Sequence, residues 1–295
     1  MKKQDQDEME WEELDSEGMF LGLNKEMRFR IGAVVCSVFL VCALIFLASY
    51  YARQKRGEDV YEEMRVEAGT NGEMKPQEQA GEVAEEESQE EAPEAEDVDL
   101  SLRRENTVDF GSLQEKNEDI YAWITVPGTQ VDYPVLQHPT QDSYYLDHTV
   151  ERAEGLPGSI YSEAVHPKDF SAVHTVLYGH NMKNGTMFGS LHSYEDETFF
   201  QENPYIYVFL PDKTLLYQIY GAVRFSDAYL PEYCNYEDEA AFTAYVEEMR
   251  NASGWTDPEV EVPFGSRILT LSTCIANDSA HRYLVTGVLI DTYEK

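Results

Sequence analysis

The C-terminal two thirds of the chain predict a mainly β domain, a barrel or a sandwich, preceded by one transmembrane helix. Three observations carry that expectation. From about Asp99 aromatic and β-branched residues return in short alternating runs, one amphipathic helical pattern interrupts those runs, and far upstream lies an uncharged stretch of 21 residues. Many short strands with few helices favour closed or stacked sheets. The 197 residues from 99 to 295 are enough for a single core.

Taken in order, residues 1–30 form a short, mostly acidic N-terminal segment. The run "IGAVVCSVFLVCALIFLASYY" (31–51) has no charge. At about 1.5 Å per residue it is long enough to cross a hydrocarbon core of about 30 Å. No clean small-residue cleavage site follows it, so it reads as an uncleaved signal anchor. Basic residues flank it on both sides: Lys25, Arg28 and Arg30 before, Arg53, Lys55, Arg56 and Arg65 after. The positive-inside count therefore leaves its orientation open. Residues 52–98, with "EVAEEESQEEAPEAED" at their acidic centre, read as a disordered, self-repelling linker, because such a composition buries too little apolar surface to offset chain entropy.

The folded domain is then expected over 99–295. "DLSLRRENTVDFGSLQEKN" reads as helical at its start, and "YAWITVPGTQVDYPVLQ" as two strands joined by a Pro-Gly turn. Further strands are expected in "SIYSEA", "HTVLYGH", "YIYVFL", "LLYQIYGAVRF", "RILTLSTC" and "RYLVTGVLI". In "EDEAAFTAYVEEMRNASG", Phe242, Tyr245, Val246 and Met249 fall at i, i+3, i+4 and i+7. That spacing predicts a helix lying on the sheet.

Charge excludes some functions. With 22 Lys+Arg against 56 Asp+Glu the formal net charge is −34, so nucleic acid is not an expected partner. No His or Cys cluster has metal-ligand spacing, and no Asp/Glu pattern makes a calcium loop, so neither metal nor cofactor is expected.

Cysteine chemistry narrows the rest. Cys36 and Cys42 fall in the apolar run. Cys234, in the acidic "LPEYCNYEDE", suits an unreactive thiol, and a Cys234–Cys274 disulfide is the less favoured reading. Cys274 ends "RILTLSTC", where alternation puts Ile268, Thr270, Ser272 and Cys274 on one face. Eight residues on, Arg282 opens the next strand, close enough to lower the thiol's pKa or to hold an oxyanion. A cysteine nucleophile also needs a proton-transfer partner. Residue chemistry alone leaves His138, His148, His166, His174, His180, His192 and His281 open. His180 is attractive because a strand delivers it into an Asn- and Gly-rich loop, and His281 is its local rival.

At these residues the sequence resembles the class B sortases. "TLSTC" ending at Cys274, "YGHNM" around His180 and Arg282 in "HRYLV" carry the resemblance, supported by "DIYAWITVPGTQVDYPVLQ", "YYL" at Tyr144–Leu146 and "GSIY" at Gly158–Tyr161. It extends from about Phe110 to the C-terminus, and the helix at about 237–252 is similar to the extra helix of that class. The resemblance implies an eight-stranded β-barrel with an N-terminal helix, an inserted helix before the cysteine strand, and a membrane anchor. It places the domain of 99–295 outside a Gram-positive-type membrane and residues 1–30 in the cytoplasm. It implies a cysteine transpeptidase in which Cys274 attacks the threonine carbonyl of a C-terminal sorting signal, His180 moves protons and Arg282 stabilises the oxyanion or holds substrate. It further implies a substrate groove near Leu146, Tyr178, Ser272 and Thr273. Asp142 in "QDSYYL" departs from the Asn common in relatives and is a candidate determinant of substrate preference. The implied partners are surface proteins with Asn-Pro-x-Thr-like or Leu-Pro-x-Thr-Gly-like signals and an amine on a peptidoglycan precursor or a pilin. Two other readings stand beside it, a cysteine hydrolase on the same scaffold and a catalytically silent anchored binding module.

Overall fold

The structure, a computed structural model, describes residues 25–68 and 99–295. These fall into two compact units divided between Arg53 and Gln54. Helix α1, Lys25–Ala68, contributes to both. In the first unit its apolar side chains, among them Val38, Phe39, Leu44 and Phe46, are exposed, and the helix is long and apolar enough to cross a membrane.

In the second unit α1 corrects the expectation of a spacer starting at residue 52. Residues 54–68 are helical, and Gly57, Tyr61, Met64 and Ala68 are buried. Their spacing of four, three and four residues makes one helical stripe, diluted in the sequence by Glu58, Asp59, Glu62, Glu63 and Glu67. Tyr61 packs edge-on against Tyr133 with ring centroids 5.5 Å apart. Arg65 lies over the same Tyr133 ring at 4.5 Å, and its Nε donates to the Asp132 carbonyl at 2.9 Å. The rest of the expected linker, 69–98, lies outside the described residues.

The expected helix near residue 100 is a single 3₁₀ turn, Leu100–Leu102, and the α-helix of that segment, α2, comes later at Phe110–Lys116. Asp109 caps it, accepting from the Ser112 amide at 3.2 Å. The strands are β1 Ile120–Thr125, β2 Asp132–Leu136, β3 Ile160–Tyr161, β4 His174–Tyr178, β5 Tyr205–Phe209, β6 Lys213–Ser226, β7 Ser253–Thr256, β8 Ile268–Ile275 and β9 Asp278–Glu294. Helix α3, Glu197–Glu202, precedes β5, and α4, Glu239–Asn251, precedes β7. In the order β5-β1-β2-β3-β4-β8-β9-β6, with β6 pairing back to β5, eight strands close into a barrel. β7 extends the sheet from β6 as a ninth strand. This short strand was not legible in "SGWT". It depends on Gly254, whose φ is +150° and where a Cβ would lie 2.2 Å from the Ala222 carbonyl oxygen, so only glycine fits.

Strand alternation sorts two cores. Leu177, Leu269, Leu271 and Val285 join the larger cluster with Trp123 and Phe209. Val176, Ile268, Leu284 and Val288, from the opposite faces, pack with Phe242, Tyr245, Val246 and Met249 of α4. Burying each large α4 side chain stabilises the fold by about 1.5–3 kcal/mol. α4 thus covers one end of the outer face of β4, β8 and β9, and the other end of that face stays open.

Candidate active site

β4 and β8 run parallel, with Tyr178 opposite Ser272. The pairing continues one step further: the Gly179 amide donates to the Ser272 carbonyl at 3.2 Å, and Thr273 Oγ1 donates to the Gly179 carbonyl at 2.8 Å. His180 and Cys274 therefore stand at equivalent positions, each two residues past a paired one. On the other side β8 runs antiparallel to β9, with Cys274 opposite Arg282. Directly opposed residues share a face, so the sheet order sets His180, Cys274 and Arg282 side by side at the open end of the outer face.

The cysteines differ as the sequence suggested. Cys36, Cys42, Cys234 and Cys274 are all free, and Cys274 is exposed. Cys234 is half-buried, and burial pushes its thiol up from the ordinary cysteine value.

His180 Nε2 lies 2.7 Å from the Leu146 carbonyl. A carbonyl only accepts, so Nε2 carries the hydrogen and Nδ1 is the nitrogen that can take up or release a proton. The Leu146 carbonyl is itself held closely. Gly158, with φ +67°, passes so near that a Cβ would sit 2.5 Å from this oxygen and 3.2 Å from His180 Cδ2. The loop is tied down from both flanks. Tyr145 donates its hydroxyl proton to Asp119 at 2.5 Å, and the Tyr61 hydroxyl of α1 bonds the Gly158 carbonyl, Ser159 Oγ and the Val150 amide. Glu58, also on α1, accepts from Asn184 in the turn after His180 at 2.8 Å.

Arg282 Nη1 donates to the Ser279 and His281 carbonyls at 3.2 and 3.0 Å. Its Nε and Nη2 have no partner among the described residues, leaving a two-donor edge for an anion. His281 is drawn away from the site: its Nδ1 lies 3.0 Å from both carboxylate oxygens of Asp278 and 3.1 Å from Arg224 Nη2.

A cleft of about 290 Å³ opens over this row, and Cys274, His180, Arg282, Leu146, Tyr178, Ser272 and Thr273 all line it. Asp142 does not line it; its carboxylate accepts from the Ala164 amide at 2.9 Å and so holds the chain beside the cleft residue Glu163. Sequence reasoning missed Tyr161, Glu163 and the rim formed by residues 226–230. Glu163 is half-buried, and that burial pushes its carboxyl above the ordinary range. Its placement depends on a loop path that period and spacing do not encode. Among the described residues no group of three or more His, Cys, Asp or Glu could hold a metal ion.

The family model described as Sortase domain matches residues 124–290, and the chain belongs to the sortase family. Within it, the chain is 32% identical over 168 residues to sortase B of Listeria monocytogenes, covering 55% of this chain and 65% of that protein's length. It is 30% identical over 185 residues to sortase B of Staphylococcus aureus, covering 61% of this chain and 74% of that protein. The Bacillus anthracis sortase B structure superposes with a TM-score of 0.59 at 25% identity, covering 83% of this chain and 98% of that one. A Staphylococcus aureus sortase B–substrate complex superposes with a TM-score of 0.54 at 29% identity, covering 61% and 83%.

Proposed function

We propose that the protein is a membrane-anchored cysteine transpeptidase that joins a protein bearing a C-terminal sorting signal to an amine. The observation that carries this reading is an exposed cysteine at a strand end, with a histidine and an arginine at the matching positions of the two flanking strands.

Cys274 Sγ, as thiolate, attacks the threonine carbonyl of the signal and forms a tetrahedral oxyanion, which the open edge of Arg282 stabilises. The intermediate collapses as His180 gives a proton to the departing amine, leaving a thioester. His180 then takes a proton from the incoming amine as it attacks the thioester, and the second collapse forms the new amide and returns the thiolate. Leu146, Tyr178, Ser272 and Thr273 line the path of the signal peptide, and Asp142 acts on it indirectly, through the segment carrying Glu163. That a related Staphylococcus aureus sortase B is solved as a substrate complex supports this reading.

The acceptor is an amine of a peptidoglycan precursor, α1 is the membrane anchor through residues 31–51, and the domain lies outside the cell with the N-terminus inside. Holding enzyme and client on one surface raises their effective concentration.

The test is mass spectrometry of the full chain in detergent, incubated with Asn-Pro-x-Thr and Leu-Pro-x-Thr peptides with and without diglycine or triglycine. A thioester adduct on Cys274, discharged faster by the amines than by water, is the expected result. Discharge by water alone makes the protein a hydrolase, and turnover that survives Cys274→Ala overturns the assignment.

A further inference from the structure

Cys274 stands where the ladder between β8 and β9 breaks, the register passing from Cys274–Arg282 to Ile275–Asp278. Two side chains from outside the sheet meet its carbonyl. Asn181 Nδ2 donates to it at 2.9 Å, and His192 Nε2 lies 3.1 Å away. Asn181 directly follows His180. Its own backbone is fixed by a bridge to Met187, while the Phe188 amide donates to the His180 carbonyl at 3.0 Å.

His192 is anchored in turn. Its Nδ1 lies 2.7 Å from Glu195 Oε1, and its ring stacks on Tyr283 with centroids 4.8 Å apart. Tyr283 directly follows Arg282. Asn181, the chain neighbour of His180, thus reaches the Cys274 carbonyl, and His192, backed by Glu195, ties it to Tyr283, the chain neighbour of Arg282.

Hydrogen accounting fixes how this network works. A carbonyl only accepts, so the Asn181 atom facing Cys274 is the amide nitrogen. With Nδ1–H of His192 donating to Glu195, the Nε2 lone pair takes the second Asn181 hydrogen across 3.0 Å; the 3.1 Å between Nε2 and the Cys274 carbonyl is then a contact of two acceptors, and Asn181 is the donor to that carbonyl. Both amide hydrogens are then used, one on the nucleophile's own backbone. We propose that Asn181, held by His192 and Glu195, is a positioning residue that sets the separation of His180 and Cys274. Misplacing reacting groups by about 1 Å costs on the order of a hundredfold in rate.

The inference rests on the transpeptidase reading, so its test needs a readout independent of peptide turnover. In the full chain in detergent, Asn181→Ala, His192→Gln and His192→Asn are compared with wild type by steady-state kinetics on Asn-Pro-x-Thr and Leu-Pro-x-Thr peptides. Thermal melting and the rate of iodoacetamide alkylation of Cys274 are measured alongside. Gln can set its carbonyl oxygen, an acceptor, where the Nε2 lone pair stands, and Asn does not reach. Asn181→Ala is expected to lower kcat about tenfold to a hundredfold with KM nearly unchanged. Alkylation should slow about threefold or more, as the thiol sits less well beside the Arg282 guanidinium. His192→Asn should follow Asn181→Ala, and His192→Gln should stay near wild type.

Wild-type kcat and alkylation in Asn181→Ala overturn the proposal. So does a loss shared equally by His192→Gln and accompanied by a lower melting temperature, which would mark the network as merely structural. If wild type turns over no peptide, the transpeptidase reading fails. The alkylation series still decides the clamp: slowing in Asn181→Ala and His192→Asn alone supports it, and no slowing overturns it.

Discussion

Tyr61 gives the sharpest test of the unexpected helical segment. Its ring is 3% exposed and its hydroxyl bonds the Gly158 carbonyl, Ser159 Oγ and the Val150 amide. In Tyr61→Phe the edge-on packing with Tyr133 survives, while the Val150 amide and the Gly158 carbonyl lose this partner. Ser159 Oγ retains its bond to the His148 carbonyl at 2.9 Å. Orphaning a buried backbone group costs about 1–3 kcal/mol. Tyr61→Ala also removes the ring, bringing the cost to about 3–5 kcal/mol on the scale of Phe→Ala in cores. For a unit of this size each kcal/mol lowers Tm by about 2–4 °C, so the loss of even one of these bonds should make Tyr61→Phe melt roughly 2–12 °C lower, and Tyr61→Ala lower still. Near-UV circular dichroism of the full chain in detergent measures the shift, and amide exchange over 148–159 should rise in both variants. A Tyr61→Ala protein that melts with wild type and keeps that loop protected would refute the packing of residues 54–68 on the barrel.

Among the other expectations, Cys274→Ala and His180→Ala should abolish acyl transfer in the peptide assay while leaving melting unchanged. Arg282→Lys should lower kcat strongly, because a compact ammonium does not reproduce a planar two-donor edge. Gly158→Ala should displace the Leu146 carbonyl from His180 and lower kcat more than KM changes, read in the same assay; wild-type kinetics would show that this carbonyl does not orient the imidazole. Acid should weaken the fold before carboxylates titrate. Burial depresses His166 to about 4 and His174 to about 3, against 6.5 in the unfolded chain. Both are bases held neutral, so as pH falls below 6.5 the unfolded state takes up protons that the folded state does not, and stability drops by up to about 1.4 kcal/mol per pH unit for each. Urea unfolding at pH 7, 6 and 5 should show this slope, and His174→Gln should reduce it; an unchanged slope would show that His174 is not the titrating group.

Much of the barrel was legible because its strands carry clear alternation, and α4 because Phe242, Tyr245, Val246 and Met249 mark one helical face. Two elements were not. The 54–68 helix hides four buried positions among acidic neighbours, so composition outweighed period. β7 is four residues long and hinges on a glycine whose reason is the Ala222 backbone beside it. At the site, Cys274 and Arg282 were readable from one hairpin. The choice of His180 over His281 came from resemblance; its physical reason is tertiary, since β4 is the parallel neighbour of β8 whereas Asp278 and Arg224 occupy His281. Asn181 stood in plain view in "YGHNM", but its partners His192 and Glu195 reach it only through the fold.

The parallel pairing of β4 with β8 makes the site modular. His180 and Cys274 are 94 positions apart in the chain, yet their spacing is set by one ladder and by the bonds of Gly179, Thr273 and Asn181 across it. Within the long excursion between them, the 226–230 rim carries none of these bonds and can change length or sequence while the reacting groups stay in register. Exchanging that rim between related enzymes is therefore a route to new peptide selectivity on an unaltered catalytic frame.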